Sequence, residues 1–194
     1  MTTVSSIVEG HGEVAAMPVL LRRLATHFSP QTPVSILKPT RVPRDKFLNR
    51  DNEFARYLKL AASECGADGW IMLLLDADDD CPVTCSHAIL QKAKEIISCR
   101  ISVIMANREY EAWFVASASS LHGKRGFTLT DAPPSDPEAI HNAKGWIADR
   151  MLNRGYGETT DQPAFSAAID IDMAQQNSRS FRKLCDEWKK NMLK

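Results

Sequence analysis

An unbroken apolar run, Trp70-Ile71-Met72-Leu73-Leu74-Leu75, ends without a spacer in Asp76-Ala77-Asp78-Asp79-Asp80. Such a run suits a strand buried on both faces, as at the centre of a parallel sheet. Acids fixed at the end of that strand project into the crevice where α/β proteins bind ligands. Carboxylates held this close repel one another, and a proton or a hard divalent cation relieves the repulsion. Oxygen-only ligands favour Mg²⁺, Mn²⁺ or Ca²⁺ over zinc. A metal site is therefore the first functional expectation.

The remainder of the chain alternates strand and helix patterns. Thr3–Val8 is rich in β-branched residues and runs into Glu9-Gly10-His11-Gly12-Glu13, whose glycines permit a tight turn. A helix is predicted over 13–27, with Val14, Met17, Leu20, Leu21 and Leu24 on one stripe and Pro18 tolerable only in its first turn. Val34–Leu37 reads as a short strand, Lys38–Pro43 as a loop, and Phe47–Cys65 as one helix ending at Gly66. After the acidic block, Ser86–Ile97 reads as a crossover helix and Ile101–Met105 as another buried strand. A further helix is expected directly from Asn107, bringing Glu109 and Glu111 to the same sheet edge. His122–Pro137 reads as a loop, Glu138–Asn153 as a helix, and Met173–Leu193 as one or two helices with Ser178 or Ser180 as a cap. This order predicts an α/β fold with a mainly parallel central sheet flanked by helices and a helical C-terminal part. A single domain over 1–194 is expected, its core at about 1–120 and a helical extension at about 121–194.

Within that frame, Asp76 and Asp78 alternate, so on an extended strand end they point to one side and can share a cation. Asp79 and Asp80 have a simpler use, favouring the N-terminus of the following helix by about 0.3–1 kcal/mol each. Glu9 and Glu13 either share a helix face, if the helix starts at the glycines, or divide into a strand-exit acid and a helix cap. Glu109 and Glu111 can bind a second metal or orient the ligands of the first, though the start of a helix also attracts acids. His11, between two glycines and beside Glu9, has the chemistry of a general base but also suits an ordinary turn. Trp113 is expected in the core. The glycines complete neither the Walker pattern nor the dinucleotide fingerprint, and no serine or cysteine sits in a nucleophile elbow.

Formal net charge is zero, yet Lys38, Arg41, Arg44, Lys46 and Arg50 crowd one stretch while acids gather at Glu9, Glu13 and Asp76–Asp80. Segregation of this kind suits a polyanion held by a basic arm and presented to cations on carboxylates, and it also suits a solvated loop. No stretch approaches the roughly 20 apolar residues of a membrane span. With no signal segment evident and five scattered cysteines, a cytoplasmic protein without a disulfide framework is expected. Cys81 and Cys85 form a loose pair that suits packing at a helix start better than zinc.

Val8-Glu9-Gly10 followed at a distance by Leu75-Asp76-Ala77-Asp78 resembles the Toprim fold of topoisomerases, bacterial primases and overcoming-lysogenization-defect nucleases. Together with Asn107-Arg108-Glu109-Tyr110-Glu111-Ala112-Trp113-Phe114, Asp161-Gln162-Pro163-Ala164-Phe165 and Ser178-Arg179-Ser180-Phe181-Arg182, the motifs resemble a bacterial Toprim-like family of unassigned function found near genome-defence genes. The resemblance implies Glu9, Asp76 and Asp78 around Mg²⁺ or Mn²⁺, with Glu13 as the second acid of a two-metal nuclease. It implies a metal-dependent DNA or RNA nuclease serving in bacterial defence, with a neighbouring ATPase as partner and oligomerisation open. For the basic residue that such nucleases place near the scissile phosphate, Arg108, Arg182 and Lys183 are the candidates, and Lys38, Arg41 and Arg44 would hold nucleic acid. Two alternatives stand beside this reading: a non-catalytic module that binds nucleic acid or the ATPase, and nucleotidyl or phosphoryl transfer on a small nucleotide.

Overall fold

The computed structural model describes residues 1–193. The apolar runs form the strands expected of them: β1 (Thr2–Val8), β4 (Trp70–Asp76) and β5 (Arg100–Ala106), joined by the short β2 (Val34–Ile36) and β3 (Thr40–Arg41). All pair in parallel, in the order β2-β1-β4-β5. β3 continues the β2 edge, pairing with Ile7 and Val8 of β1 beyond the point where β2 stops. Part of the stretch expected as a loop over 38–43 is thus strand.

Side chains alternate across the sheet and divide the core in two. Val4, Val8, Met72, Leu74 and Ile104 enter one layer with the helix α1 (His11–Phe28) and the C-terminal helices. Ile7, Ile71, Leu73, Leu75 and Val103 enter the other with α2 (Arg44–Asn49), α3 (Asp51–Cys65) and α4 (Pro82–Lys94). The architecture is α/β, with a parallel sheet flanked by helices and a helical C-terminal part, as read from the alternation. Because α1 leaves β1 on one face and α4 leaves β4 on the other, the crevice between β1 and β4 is the switch point of the sheet, where open α/β sheets bind ligands.

Several element boundaries differ from the sequence expectation. α1 begins at His11, and Pro18 lies beyond its first turn. The helix expected over 47–65 is two, because Arg50 takes an extended conformation (φ −122°, ψ 103°) and a new helix starts at the acids Asp51 and Glu53. Phe47 and Phe54 then meet across the break with ring centroids 4.8 Å apart. α4 starts at Pro82, a residue suited to a first helical position. No helix runs directly from Asn107: Arg108 turns left-handed (φ 64°), and α5 (Ala112–Ala116) and α6 (Ala118–Leu121) follow.

The expected helix over 138–153 is a 3-10 turn (Pro137–Ala139) and a short α7 (Ala143–Ala148), whose start is capped by the Asn142 side chain accepting from Gly145 N. α8 (Glu158–Ser166) was not anticipated. α9 (Ile171–Asn177) and α10 (Arg179–Met192) form the tail, with Ser178 as the cap, accepting from Phe181 N. Trp113 is buried, as expected. Among the described residues no helix is long and apolar enough to cross a membrane.

Candidate metal centre at the sheet switch point

β1 delivers Glu9 to the crevice. Gly10 stays extended (φ −83°, ψ 155°), so Glu9 remains a strand-exit residue while the helix begins after it. Glu13 folds back, and its Oε2 accepts from Glu9 N at 3.1 Å and Gly10 N at 3.0 Å. A Cβ at position 10 would lie 2.8 Å from Glu13 Oε1, so a larger residue there would have to displace this carboxylate. Of the two arrangements open from sequence, strand-exit acid plus helix cap is the one adopted. Glu13 is nonetheless more than a cap, because burial pushes its carboxyl up to about 7 against the two amide bonds.

β4 delivers Asp76, whose Oδ1 accepts from Tyr110 N at 2.9 Å. Burial, then the charges of Glu13, Glu111 and Glu9, raises its pKa well above the carboxylate range. Asp78 does not share that environment. It lies in a left-handed turn (φ 49°), with Ala77 N bonded to Ala106 O and Asp78 N to Arg108 O. The strict alternation that would put both aspartates on one side therefore ends at Asp76. The Asp78 side chain is 62% exposed and sits 3.6 Å from Arg44 Nη1. Glu9 lies between the two settings; its pKa is raised by burial and by Asp78.

The turn after β5 and the C-terminal part close the inner side. Glu111 is fully buried; its Oε1 accepts from Tyr156 Oη at 3.0 Å and Gln162 Nε2 at 3.1 Å. Burial lifts it to about 7, opposed by Lys144. Although burial opposes it, the Lys144 ammonium is held above its ordinary pKa by Glu111, Glu158 and Asp76, and it pairs with Glu158 at 3.2 Å. Glu109 is turned elsewhere: its carboxylate accepts from Lys144 N at 3.0 Å and caps α7. Glu109 and Glu111, expected as a pair, thus divide between a helix cap and the buried acid group.

Sequence reasoning missed Lys144 and the contribution of Gln162. Lys144 had no signal, standing alone on a short helix misread as part of a longer one. Gln162 lay inside the quoted Asp161-Gln162 motif without an assigned task.

The basic residues are distributed differently from the expectation of one arm. Arg44 hydrogen-bonds Asp80, Arg41 donates to Glu9 O at 3.3 Å, and Arg108 pairs with Asp79 at 2.9 Å. Asp79 and Asp80 thus hold arginines instead of the start of α4. Lys38 is exposed. Arg182 donates to the carbonyls of Gln175 and Gln176 at the end of α9, and Lys183 pairs with Glu187. Neither makes a hydrogen bond or ion pair with the acid group. His11 is exposed, and Cys81 and Cys85 flank the exposed start of α4.

Two tests bear on a divalent cation here. Among the described residues, no three Asp, Glu, His or Cys side chains converge closely enough to hold an ion as they stand. Against this, Glu9 Oε2, Glu111 Oε2 and Gln162 Oε1 are buried acceptors without a partner, and burial raises the pKa of all four carboxyls, Glu9, Glu13, Asp76 and Glu111. Native structures rarely leave such acceptors unsatisfied. The donor chemistry, oxygen only, fits Mg²⁺ or Mn²⁺, and ligation requires Glu9 and Glu111 to reorient.

A parallel α/β sheet with buried acids at its switch point defines the structural class. Within it, the chain belongs to the family described as Domain of unknown function (DUF4276), whose family model matches residues 8–188. The match runs from the end of β1 to α10 and so includes every residue of the acid group. No curated protein and no solved structure matches the chain.

Proposed function

We propose that this chain is a Toprim-type, metal-dependent phosphodiester hydrolase acting on DNA or RNA. The observation that carries the reading is the group Glu9, Glu13, Asp76 and Glu111, four acids raised first by burial at the switch point, with the Lys144 ammonium near Glu111 and Asp76. A bound pair of Mg²⁺ or Mn²⁺ ions would supply Lewis-acid polarisation of a phosphoryl oxygen and a water deprotonated near neutral pH. Glu9, Asp76, Glu111 and Glu13 Oε1 would hold them, with Asp78 joining from the turn once released from Arg44.

The chain's own residues do the remainder. Tyr110 N and the Gln162 and Tyr156 side chains orient the carboxylates of Asp76 and Glu111, so little reorganisation is left for the reacting complex. Lys144, near Glu111 and Asp76, would serve as the basic residue beside the scissile phosphate in place of Arg108, Arg182 or Lys183. Arg41, which donates to Glu9 O, and the exposed Lys38 would engage backbone phosphates, with Arg44 available when Asp78 turns to a cation. The role in bacterial defence, a cytoplasmic setting and an ATPase partner enter through the motif resemblance alone.

The test is cleavage of supercoiled plasmid, single-stranded DNA and RNA with Mg²⁺ or Mn²⁺, wild type beside Glu9→Gln, Asp76→Asn and Lys144→Met. Metal-dependent cleavage lost by about 10²-fold or more in each variant supports the reading. Equal cleavage by wild type and Asp76→Asn would end it. One observation favours a second reading, a binding module: the acids do not converge on a point as they stand. Polynucleotide binding that survives Glu9→Gln with no cleavage in any lane would select it. Release of product from mononucleotides alone would select small-nucleotide transfer.

A further inference from the structure

The sheet has two edges: one is made of the short, broken pair β2 and β3, of three and two residues, and the other is the seven-residue β5. β1 is covered on its far side by β2 and β3, but β5 pairs only with β4. Among the described residues, no backbone hydrogen bond joins residues 101–105 to any element other than β4. Natural sheets usually blunt such an edge by shortening, bulging or covering it. Here the strand is as long as β4 and regular along its length.

Instead of being covered, the edge lies at the bottom of a groove of about 970 Å³ between α4 and α10. Leu90, Ile97, Ile101, Val103 and Met105 give it an apolar lining. Val83, 76% exposed on the first turn of α4, extends that surface to the groove's mouth. The rim is cationic. Lys94, Arg179 and Lys190 are exposed and form no ion pair among the described residues. The two acids in the lining are already engaged: Glu138 accepts from Ser178 and Ser180, and Glu187 from Lys183 and Ser102.

From the free backbone edge, the apolar floor and the unbalanced cationic rim, we infer that this groove binds an extended acidic segment of a partner protein, which adds to β5 as a further strand. The backbone supplies a ladder of donors and acceptors for β-augmentation, alternate apolar side chains fill the floor, and carboxylates meet Lys94, Arg179 and Lys190. A second copy of this chain is the less suitable occupant, because pairing β5 with β5 would bring two cationic rims together. The surface lies on the outer side of β5 and does not depend on the hydrolase reading.

The probe is a short fluorescein-labelled peptide alternating glutamate with valine, titrated against the full chain by fluorescence anisotropy. Amide hydrogen exchange on the same complex reports the site. Saturable binding with protection confined to 100–106 is expected. It should weaken about tenfold in Lys94→Glu/Lys190→Glu, whose exposed positions leave the fold intact, and vanish when alternate peptide amides are N-methylated. The N-methyl peptide keeps the charge and apolar content but cannot form the ladder, so equal binding by it overturns the proposal. No saturation into the millimolar range overturns it as well. A single-stranded oligonucleotide protecting the same amides reassigns the groove to nucleic acid. A dimer of the free chain with 100–106 already protected reassigns the edge to a second copy. Glu9→Gln should bind the peptide like wild type, so loss of cleavage and loss of docking are read separately.

Discussion

Asp76 is the residue at which local geometry and electrostatics meet most directly. Its backbone closes β4, its Oδ1 is fixed by Tyr110 N, and Glu9, Glu13 and Glu111 all raise its proton affinity. A carboxylate so placed destabilises the metal-free protein when ionised, and asparagine keeps its shape without the charge. Asp76→Asn is therefore expected to raise the metal-free Tm by about 2–4 °C above neutral pH and to abolish the upward shift given by Mn²⁺. Differential scanning fluorimetry with and without Mn²⁺ measures both. A full Mn²⁺ shift in the variant would place the ion elsewhere. Glu9 and Asp76 were legible in the sequence because each directly follows an apolar strand. Glu111 was legible as an acid near the same edge, though the orphaned Oε2 that makes it a donor was not. Lys144 was illegible, since its proximity to Asp76 is created by tertiary folding of a segment with no strong periodicity.

At the scale of elements, α8 joins the C-terminal part to the acid group. Gly12 in α1 and Gln162 in α8 approach so closely that a Cβ at position 12 would lie 2.3 Å from Gln162 Oε1 and 2.7 Å from the Glu158 carbonyl. The carbonyl belongs to the backbone and cannot swing aside, so Gly12→Ala must push α8 away from α1 and carry Gln162 off Glu111. Asp161, fully buried one residue earlier, accepts from Arg125 Nε and both terminal nitrogens of Arg154 at 2.8 Å and from Gly157 N at 2.9 Å. It holds the long segment between α6 and α8 onto α8. Asp161→Ala is expected to cost about 1.5–3 kcal/mol in urea unfolding and to increase proteolysis between 122 and 157. An unchanged midpoint would show that the segment is held by its apolar contacts alone. The strands were readable because a parallel sheet buried on both faces demands continuous apolar runs. α7 and α8 were not: Asn142 and Asp161 spend their side chains on local backbone and distant arginines, and Pro163 inside α8 reads as a breaker. The quoted motifs Asp161-Gln162 and Ser178-Arg179-Ser180 prove to be brackets around this part, the second holding Glu138 through both serines.

For the molecule as a whole, the buried acids set how stability depends on pH. Glu13 and Glu111 are each lifted from 4.5 to about 7, so between those values the folded chain holds protons that the unfolded chain has lost. Their contribution to stability is full below 4.5, declines as pH rises through about 7 and is flat above. Asp161 acts with the opposite sign. Despite burial, Arg154 and Arg125 hold it at about 2, so its contribution is present above 3.8 and is lost as pH falls through about 2. The metal-free protein is therefore most stable on the acid side of neutrality, between these two windows. A divalent cation must displace the protons on Glu13 and Glu111, so its stabilisation should be small below about pH 5.5, grow through about 7, and level off above. Urea unfolding with and without Mn²⁺ on both sides of neutrality measures this directly, with Gly12→Ala as the variant that disturbs Glu111 without removing a carboxylate. If Mn²⁺ stabilises equally at acid and alkaline pH, the ion does not compete with these protons, and the buried acids are a polar core instead of a metal centre. If stabilisation follows the predicted rise and Gly12→Ala weakens it, the coupling passes through Gln162, and the C-terminal helices form one wall of the site.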